Sequence, residues 1–285
     1  MKFQPVLRIL LPLIAVLALF AAGMGLFDPT PGAPYPFTSH RGETVLINGR
    51  GLYYYDTVSS AAQQQGNDLV TLVVAVPLLA FSAWLAFRGS LRGRLLLTGT
   101  IGFFLYTYLS MCMLTAFNAL FLVYVALFTL SLYAFILCLM SFDLNRLPEH
   151  FSEKLPRGWI AALLFTIGGF LTLAWLGKVV PPLVQNLTPA LENTTTFVIQ
   201  AMDLSLIVPL AFLSGVLLLR RSAWGYLLAS VFVTKAIALG LAVSTMCILM
   251  TLAGTPDSLA IMIPFLVITV LNLFAAGSLL RHIRQ

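Results

Sequence analysis

Charged side chains are scarce in this chain of 285 residues. Only 9% of the residues are Asp, Glu, Lys or Arg, whereas 60% are hydrophobic, and the mean hydropathy is +0.97. A water-soluble domain carries roughly 25% charged residues. A soluble chain of this length has no core large enough to hide so much apolar surface. The composition therefore excludes a soluble protein and predicts one whose solvent is the lipid bilayer.

Side chains that bind metals or form disulfides are equally few. The three cysteines, Cys112, Cys138 and Cys247, lie in apolar segments without a CxxC spacing, and there are only three histidines. This pattern predicts no disulfide framework and no bound metal or other cofactor. The phosphate-binding loop motif and the hydrolase motifs HExxH and GxSxG do not occur, so the chain is not expected to be an enzyme.

Eight stretches of the sequence are long and apolar enough to cross a membrane, because a span needs about 20 mainly apolar residues. They cover residues 9–27, 69–87, 95–114, 120–140, 159–179, 197–219, 226–250 and 259–280. This predicts an all-α polytopic membrane protein in which residues 1–285 form a single integral membrane domain. Residues 1–8 are basic, so a signal peptide cleaved after the first stretch would leave seven helices. The length of the first stretch favours an uncleaved helix.

The basic residues predict how these spans are oriented. Twelve of the 16 Lys and Arg residues fall at the two termini and in alternate loops, at Lys2, Arg8, Arg88, Arg92, Arg94, Arg146, Lys154, Arg157, Arg220, Arg221, Arg281 and Arg284. Basic residues accumulate on the cytoplasmic side, so both termini are predicted to be cytoplasmic in a multi-pass protein of the cell membrane. Acidic residues such as Asp257 fall on the predicted outer side. Because the positive charge is dispersed, no nucleic-acid partner is expected.

The longest segment on the predicted outer side covers residues 28–67. Within it, Asn48-Gly49 separates two short runs, 44–47 and 50–55, that are rich in apolar and aromatic residues. Asn-Gly between such runs is a strong signal for a β-hairpin. We therefore predict a small extracytoplasmic β-hairpin cap between the first two membrane helices.

Two shorter helices are also predicted outside the membrane. Asp56 is expected to cap the start of one, and Gly66 is expected to end it. Residues 141–158 form the longest predicted cytoplasmic loop, where charges of both signs at helical spacing predict a second surface helix.

The sixth span carries a row of polar residues that leads to an acidic side chain. Asn193, Thr196, Gln200 and Asp203 recur at spacings that place them on one face of an α-helix. An ionisable group within a span costs roughly 2.5–3.5 kcal/mol, so it requires a partner or a function. Pro209 follows and predicts a local distortion of the helix. The row predicts a substrate or ion site, open to the outer side, that includes Thr196, Gln200 and Asp203.

The seventh span contains the other isolated charge, Lys235. Consecutive antiparallel helices are usually neighbours. A rise of ~1.5 Å per residue places Asp203 and Lys235 about 6 Å apart along the membrane normal. We therefore predict an ion pair between them. Such a pair either fixes the packing of the helices or belongs to a site that responds to a substrate or a proton.

Two classes of function remain open. A transporter or permease would place Asp203 and Lys235 at a midplane site for a small molecule or an ion, although the two halves of the sequence show no clear internal repeat. A sensor or accessory subunit would instead present the outer hairpin and associate with other membrane subunits. In that second case the pair of charges would be purely structural. The lipid bilayer is a partner in both cases.

Overall fold

The computed structural model describes residues 2–255 and 258–284, and Ser258 by its backbone alone. Within these residues, eight helical segments are long and apolar enough to cross a membrane, which confirms the prediction of a helical multi-pass membrane protein. Asp257, predicted on the outer side, lies outside the described residues. The helices are α1 (Gln4–Phe27), α2 (Val58–Val70), α3 (Val76–Phe87), α4 (Leu91–Leu114), α5 (Phe121–Met140), α6 (Arg157–Gln185), α7 (Val198–Met202), α8 (Val208–Leu219), α9 (Ala223–Leu252) and α10 (Ser258–Arg281).

Two of the spans are each built from two α-helices joined by a π turn. The first π turn, Thr71–Ala75, joins α2 to α3, and the second, Asp203–Ile207, joins α7 to α8. Pro77 and Pro209 each stand two residues beyond their π turn. Proline has no N–H to continue the α-helical hydrogen bonds, so each helix is distorted just before it.

The α3–α4 and α8–α9 hairpins correspond residue by residue. The second π turn begins 132 residues after the first (203 − 71 = 132). At the same offset, the Ser90 N–H donates to the Leu85 carbonyl at 3.2 Å and the Ser222 N–H donates to the Leu217 carbonyl at 3.0 Å. The residue before each serine is left-handed, with φ of 88° and 57°. The two hairpins therefore form an internal repeat, and the expectation that the chain has no clear one is wrong, since Pro77 and Pro209, like Ser90 and Ser222, are identical at the same offset.

Helices α4 and α9 form the centre of the bundle. In each of them 67% of the most apolar stretch is buried, against 22–44% in the other six spans. Gly99 of α4 lies against α9, where a Cβ would collide with Thr234 and crowd the Val231 carbonyl. A glycine at this position lets the two central backbones approach closely, as small residues do between membrane helices.

A two-stranded antiparallel sheet lies between α1 and α2, but only one of its strands, at 44–47, is a predicted one. Strand β1 (Tyr35–Thr38) pairs with β2 (Thr44–Ile47), so the connecting turn is at 39–43. The predicted strand at 50–55 is wrong, because this run is folded into turns. The Asn48 side chain donates to two carbonyls of the run and holds it in that shape.

Helix α2 starts and ends differently from its prediction. Its N-cap is Thr57, whose side chain accepts a hydrogen bond from the Ser60 N–H, and not Asp56. The helix does not end at Gly66, and with α3 it runs on to Phe87. A side chain at Gly66 would collide with the Met246 backbone of α9, so this glycine serves helix packing.

The described parts of both termini lie at one end of the bundle, which we call the terminal end. The Arg8 guanidinium lies over the Phe87 ring at 5.6 Å, and Arg92 donates to the Ile283 carbonyl at 2.9 Å. Residues 141–158 lie at the same end, but they contain only the short 3₁₀ helix Leu147–His150 instead of the predicted surface helix. Residues 28–57 lie at the opposite end, which we call the cap end.

Candidate functional site

A cavity of about 480 Å³ lies between the two halves of the chain. The first half contributes α2 and α4 to its wall, and the second half contributes α6, α7, α9 and α10. Most of its wall is apolar. Its polar groups converge from helices of both halves, and they belong to Gln63, Gln64, Asn67, Tyr106, Thr107, Ser110, Trp175, Lys178, Gln200, Asp203 and Lys235. Ligand sites typically combine apolar walls of this volume with a few placed polar groups.

Asp203 lies in the wall of this cavity at the start of the second π turn. Its side chain is buried, with 6% of the residue exposed. The Tyr106 hydroxyl donates to Oδ1 at 2.6 Å, and the Trp175 indole N–H donates to Oδ2 at 2.8 Å. Each carboxylate oxygen thus has one donor, which offsets part of the cost of burying the charge.

Lys235 lies in the wall formed by α9. The residue is also 6% exposed, and its ammonium lies 3.8 Å from the centre of the Tyr106 ring. Within the described residues Nζ forms neither a hydrogen bond nor an ion pair; the Asp203 carboxylate attracts it electrostatically, and its close contact is this cation–π contact. A contact of this kind contributes roughly 0.5–2 kcal/mol, which leaves the three N–H donors unsatisfied.

The predicted ion pair between Asp203 and Lys235 is wrong. The two side chains line the same cavity, but no oxygen of Asp203 lies within 4 Å of Lys235 Nζ. Tyr106 of α4 contacts both of them, through its hydroxyl and its ring face. A helix from the other half of the chain therefore contributes the side chain that links the two charges.

The predicted polar row of the sixth span is only partly helical. Gln200 is buried on α7 and lines the cavity with Asp203. Thr196 is exposed, precedes the start of α7 at Val198, and does not line the cavity. Asn193 also precedes the helix and donates to the Tyr55 carbonyl at 3.1 Å. The spacing predicted one helix face for all four residues, but Asn193 and Thr196 lie in an irregular segment before α7 and away from Gln200 and Asp203.

Several cavity residues were not predicted to form a site. Tyr106 lies in a cluster of polar residues that is typical of helix packing, and Trp175 lies near the end of α6. Gln63, Gln64 and Asn67 of α2 fall within residues 28–67, which were predicted to lie outside the membrane, with Gln63 and Gln64 on a short helix there. The available signal was their spacing, since Gln63, Gln64 and Asn67 occupy neighbouring positions on one helix face.

The cap end is closed by contacts between residues 28–57 and the segment between α6 and α7. Arg41 donates to the carbonyls of Thr194 and Thr195 at 3.1 and 3.0 Å. The Thr57 hydroxyl is hydrogen-bonded to Glu192. These contacts join the two halves of the chain at the cap end.

Asp56 is a buried acid at the cap end, with 3% of the residue exposed. Its Oδ1 accepts hydrogen bonds from the Ser60 hydroxyl at 3.0 Å and the Ala116 N–H at 3.2 Å, while Oδ2 has no partner. Burial raises the pKa of Asp56 from its ordinary value of 3.8 to about 6, and the two hydrogen bonds oppose this shift only in part.

Comparison of the chain with protein-family models, with curated proteins and with solved structures finds no match. Eight apolar helices identify it as a multi-pass membrane protein. Any more specific function has to be argued from the cavity and the residues that line it.

Proposed function

We propose that this protein is a transporter that binds a small amphipathic anion in the cavity between its halves. The observation that carries the proposal is Lys235, a buried ammonium that faces the cavity, lies against the Tyr106 ring and has no hydrogen bond or ion pair among the described residues. A buried cation is stable only when it is paired, and an anionic group on a ligand would pair it.

The wall around Lys235 supports a ligand with an apolar portion. Phe170, Phe232 and Leu239 line the cavity together with other large apolar residues. The volume of about 480 Å³ is suited to a small molecule. Thr107 also lines the cavity, and its buried hydroxyl has no hydrogen-bond partner within the described part of the chain, which leaves its bonding capacity for a ligand.

Asp203 has a supporting role in this proposal. Its two oxygens accept hydrogen bonds from Tyr106 and Trp175, and these bonds hold the Tyr106 ring against Lys235. The carboxylate also disfavours a second anion beside it, so the anionic group of the ligand is expected at Lys235 and not at Asp203.

The position of the cavity supports transport over simple binding. It lies between the two halves that carry the corresponding hairpins, and transporters built from repeats place their sites at such an interface. The alternative is a sensor or accessory subunit in which Asp203 and Lys235 only hold helices together. Asp203 does join α4 and α6 through Tyr106 and Trp175, but the N–H donors of Lys235, which have no hydrogen bond among the described residues, favour a ligand site.

The test uses radiolabelled octanesulfonate, an anion with a short apolar tail that stays ionised. Binding to the purified protein in nanodiscs is compared among the wild type, Lys235→Met and Lys235→Arg. A charge-assisted hydrogen bond contributes ~1.5–3 kcal/mol, so Lys235→Met is expected to weaken binding by about 10- to 100-fold. Lys235→Arg is expected to retain most of the affinity. Octyltrimethylammonium is the control ligand of opposite charge and is not expected to compete.

Transport is tested with the same probe in proteoliposomes. The wild type is expected to take up octanesulfonate, and Lys235→Met is not. Binding without uptake would support a sensor instead of a transporter. Equal binding of octanesulfonate by the wild type and by a folded Lys235→Met protein would overturn the proposed anion site.

A further inference from the structure

Asp68 is a buried acid that does not line the ligand cavity. It lies near the end of α2, just before the first π turn, and only 2% of the residue is exposed. The Tyr53 hydroxyl donates to its Oδ2 at 2.5 Å. On the other side, Gly25 of α1 lies so close that a Cβ there would collide with the carboxylate. Asp68 is therefore enclosed within the first half of the chain.

Among the residues that the structure describes, no basic side chain forms an ion pair with Asp68. The titratable groups that face it are Tyr53 from residues 28–57, Tyr108 of α4 and Tyr124 of α5, and Tyr124 also lies near Asp56. A buried carboxylate without a cation is costly, and a bound proton removes that cost.

Asp203 occupies a related position with a different electrostatic environment. Asp68 lies three residues before the first π turn and Asp203 is the first residue of the second, so they are not counterparts at the 132-residue offset, but each accepts a tyrosine hydroxyl, at 2.5 Å for Asp68 and 2.6 Å for Asp203. Asp203 has a second donor in Trp175, and the ring of Tyr106 also contacts the Lys235 ammonium. Asp68 has neither a second donor of this kind nor a cation, so the two halves use their buried acids differently.

Helix α2 connects Asp68 to the ligand cavity. Asn67 directly precedes Asp68 and lines the cavity, as does Gln64 one turn earlier. Gly66 packs against the backbone of Met246 of α9, another residue of the cavity wall. Asp68 and two of the groups that face the ligand therefore lie on one helix, within about one turn of each other.

We propose that Asp68 is a proton-binding site whose protonation is coupled to anion binding in the cavity, an inference whose second part rests on the proposed function. Proton binding neutralises the carboxylate and changes its hydrogen bond with Tyr53. Because Asn67 and Gln64 share α2 with Asp68, the cavity then differs between the protonated and ionised states. Coupling of this kind links the movement of an anion to that of a proton.

Proton binding is tested by infrared difference spectroscopy of the protein in nanodiscs over about pH 4–9, the range in which a perturbed carboxyl titrates. All variants carry Asp56→Asn, so that Asp56 does not contribute. A carbonyl band of a protonated carboxyl group is expected to titrate in this background and to be lost on adding Asp68→Asn. Asp203→Asn is the matched control and is expected to retain the band. Identical titrations with and without Asp68→Asn would overturn the proton site.

A second variant covers the case in which Asp68→Asn does not fold. Tyr53→Phe keeps the acid and removes the hydroxyl donor. The hydrogen bond from that hydroxyl favours the ionised form of the carboxyl group, so its loss favours the protonated form. The midpoint of the same band is expected to move to higher pH. An unchanged midpoint in folded Tyr53→Phe would also overturn the proton site.

Coupling is tested by the pH dependence of octanesulfonate binding. Allosteric coupling between two sites typically changes affinity by about 5- to 150-fold. In the Asp56→Asn protein, the affinity for octanesulfonate is expected to change with pH within this range. After Asp68→Asn is added, this change is expected to be lost. If the affinity changes equally with pH in both, the coupling is overturned. If no octanesulfonate binds at all, the proposed function and the coupling fail together, whereas the infrared titration still decides the proton site.

Discussion

The hydroxyl of Tyr106 donates a hydrogen bond of 2.6 Å to Asp203, and both side chains are buried within the bundle. Tyr106 belongs to the first half of the chain and Asp203 to the second. The face of the same phenol ring contacts Lys235, so a single side chain organises the wall of the cavity around both charges. Removing the hydroxyl alone separates these two contacts.

Tyr106→Phe is expected to lower the free energy of unfolding by ~1–3 kcal/mol, because a buried acceptor left without a donor costs about that much. Tyr106→Ala is expected to lower it further, since the ring contact with Lys235 is also lost. Thermal unfolding in detergent measures both effects. Tyr133→Phe is the control, because Tyr133 is exposed on the surface of α5. Equal losses for Tyr106→Phe and Tyr133→Phe would contradict the role of the hydrogen bond.

The raised pKa of Asp56 predicts that stability depends on pH. A pKa that is higher in the folded state favours folding while the group is protonated, so the contribution is complete below about pH 4 and is lost as the pH rises through about 6. A shift of about two pKa units corresponds to ~3 kcal/mol. Between these pH values, the free energy of unfolding is expected to depend less on pH in Asp56→Asn than in the wild type. Parallel pH profiles for the two proteins would refute this assignment.

Corresponding glycines of the repeat are expected to respond alike to substitution. A Cβ at Gly93 would collide with Leu85 and Ala86, and a Cβ at Gly225 would collide with Leu217 and Leu218. Gly93→Ala and Gly225→Ala are each expected to destabilise the protein by ~1–3 kcal/mol, the usual cost of overpacking.

Gly169→Ala provides the matched control, because a Cβ at Gly169 meets open space. It is expected to be neutral or to stabilise by up to ~1 kcal/mol through helix propensity. Chemical or thermal unfolding distinguishes these outcomes. A large loss at only one of the two hairpin glycines would show that the two turns are packed differently.

The contacts of Arg41 predict how the cap end is held closed. Arg41→Gln removes donors to the carbonyls of Thr194 and Thr195, so faster hydrogen exchange is expected in residues 186–197. Arg50→Gln on the same segment is the control, since the Arg50 side chain forms no hydrogen bond or ion pair with the described residues. If Arg50→Gln accelerates exchange as much as Arg41→Gln does, the effect comes from charge and not from these bonds.

The hydrophobic pattern predicted the eight spans well, because membrane insertion depends on a property that each segment carries by itself. The isolated charges Asp203 and Lys235 were also identified from the sequence, and the fold places both in one cavity. Their partner was not predicted. The position of Tyr106 depends on how α4 is rotated against helices of the other half, and that rotation follows from packing across the whole bundle.

Local signals failed where tertiary contacts competed with them. Asn48-Gly49 indicated a hairpin turn, yet the Asn48 side chain bonds the following carbonyls and β2 pairs with the strand before it. Gly66 indicated the end of a helix, yet it serves a close contact with α9. Thr196 lies at helical spacing from Gln200, but the helix begins only at Val198.

The two π turns determine which face of the following helix points into the bundle. A π turn holds one residue more than an α-helical turn, so the helix after it is rotated relative to an uninterrupted α-helix. Winding Thr71–Ala75 or Asp203–Ile207 as regular α-helix, with every residue kept, would turn α3 or α8 by about 100° about its axis. Buried residues such as Ser82 and Ser214 would then face lipid. The wider winding of these two segments is therefore as important to the spans as their hydrophobicity.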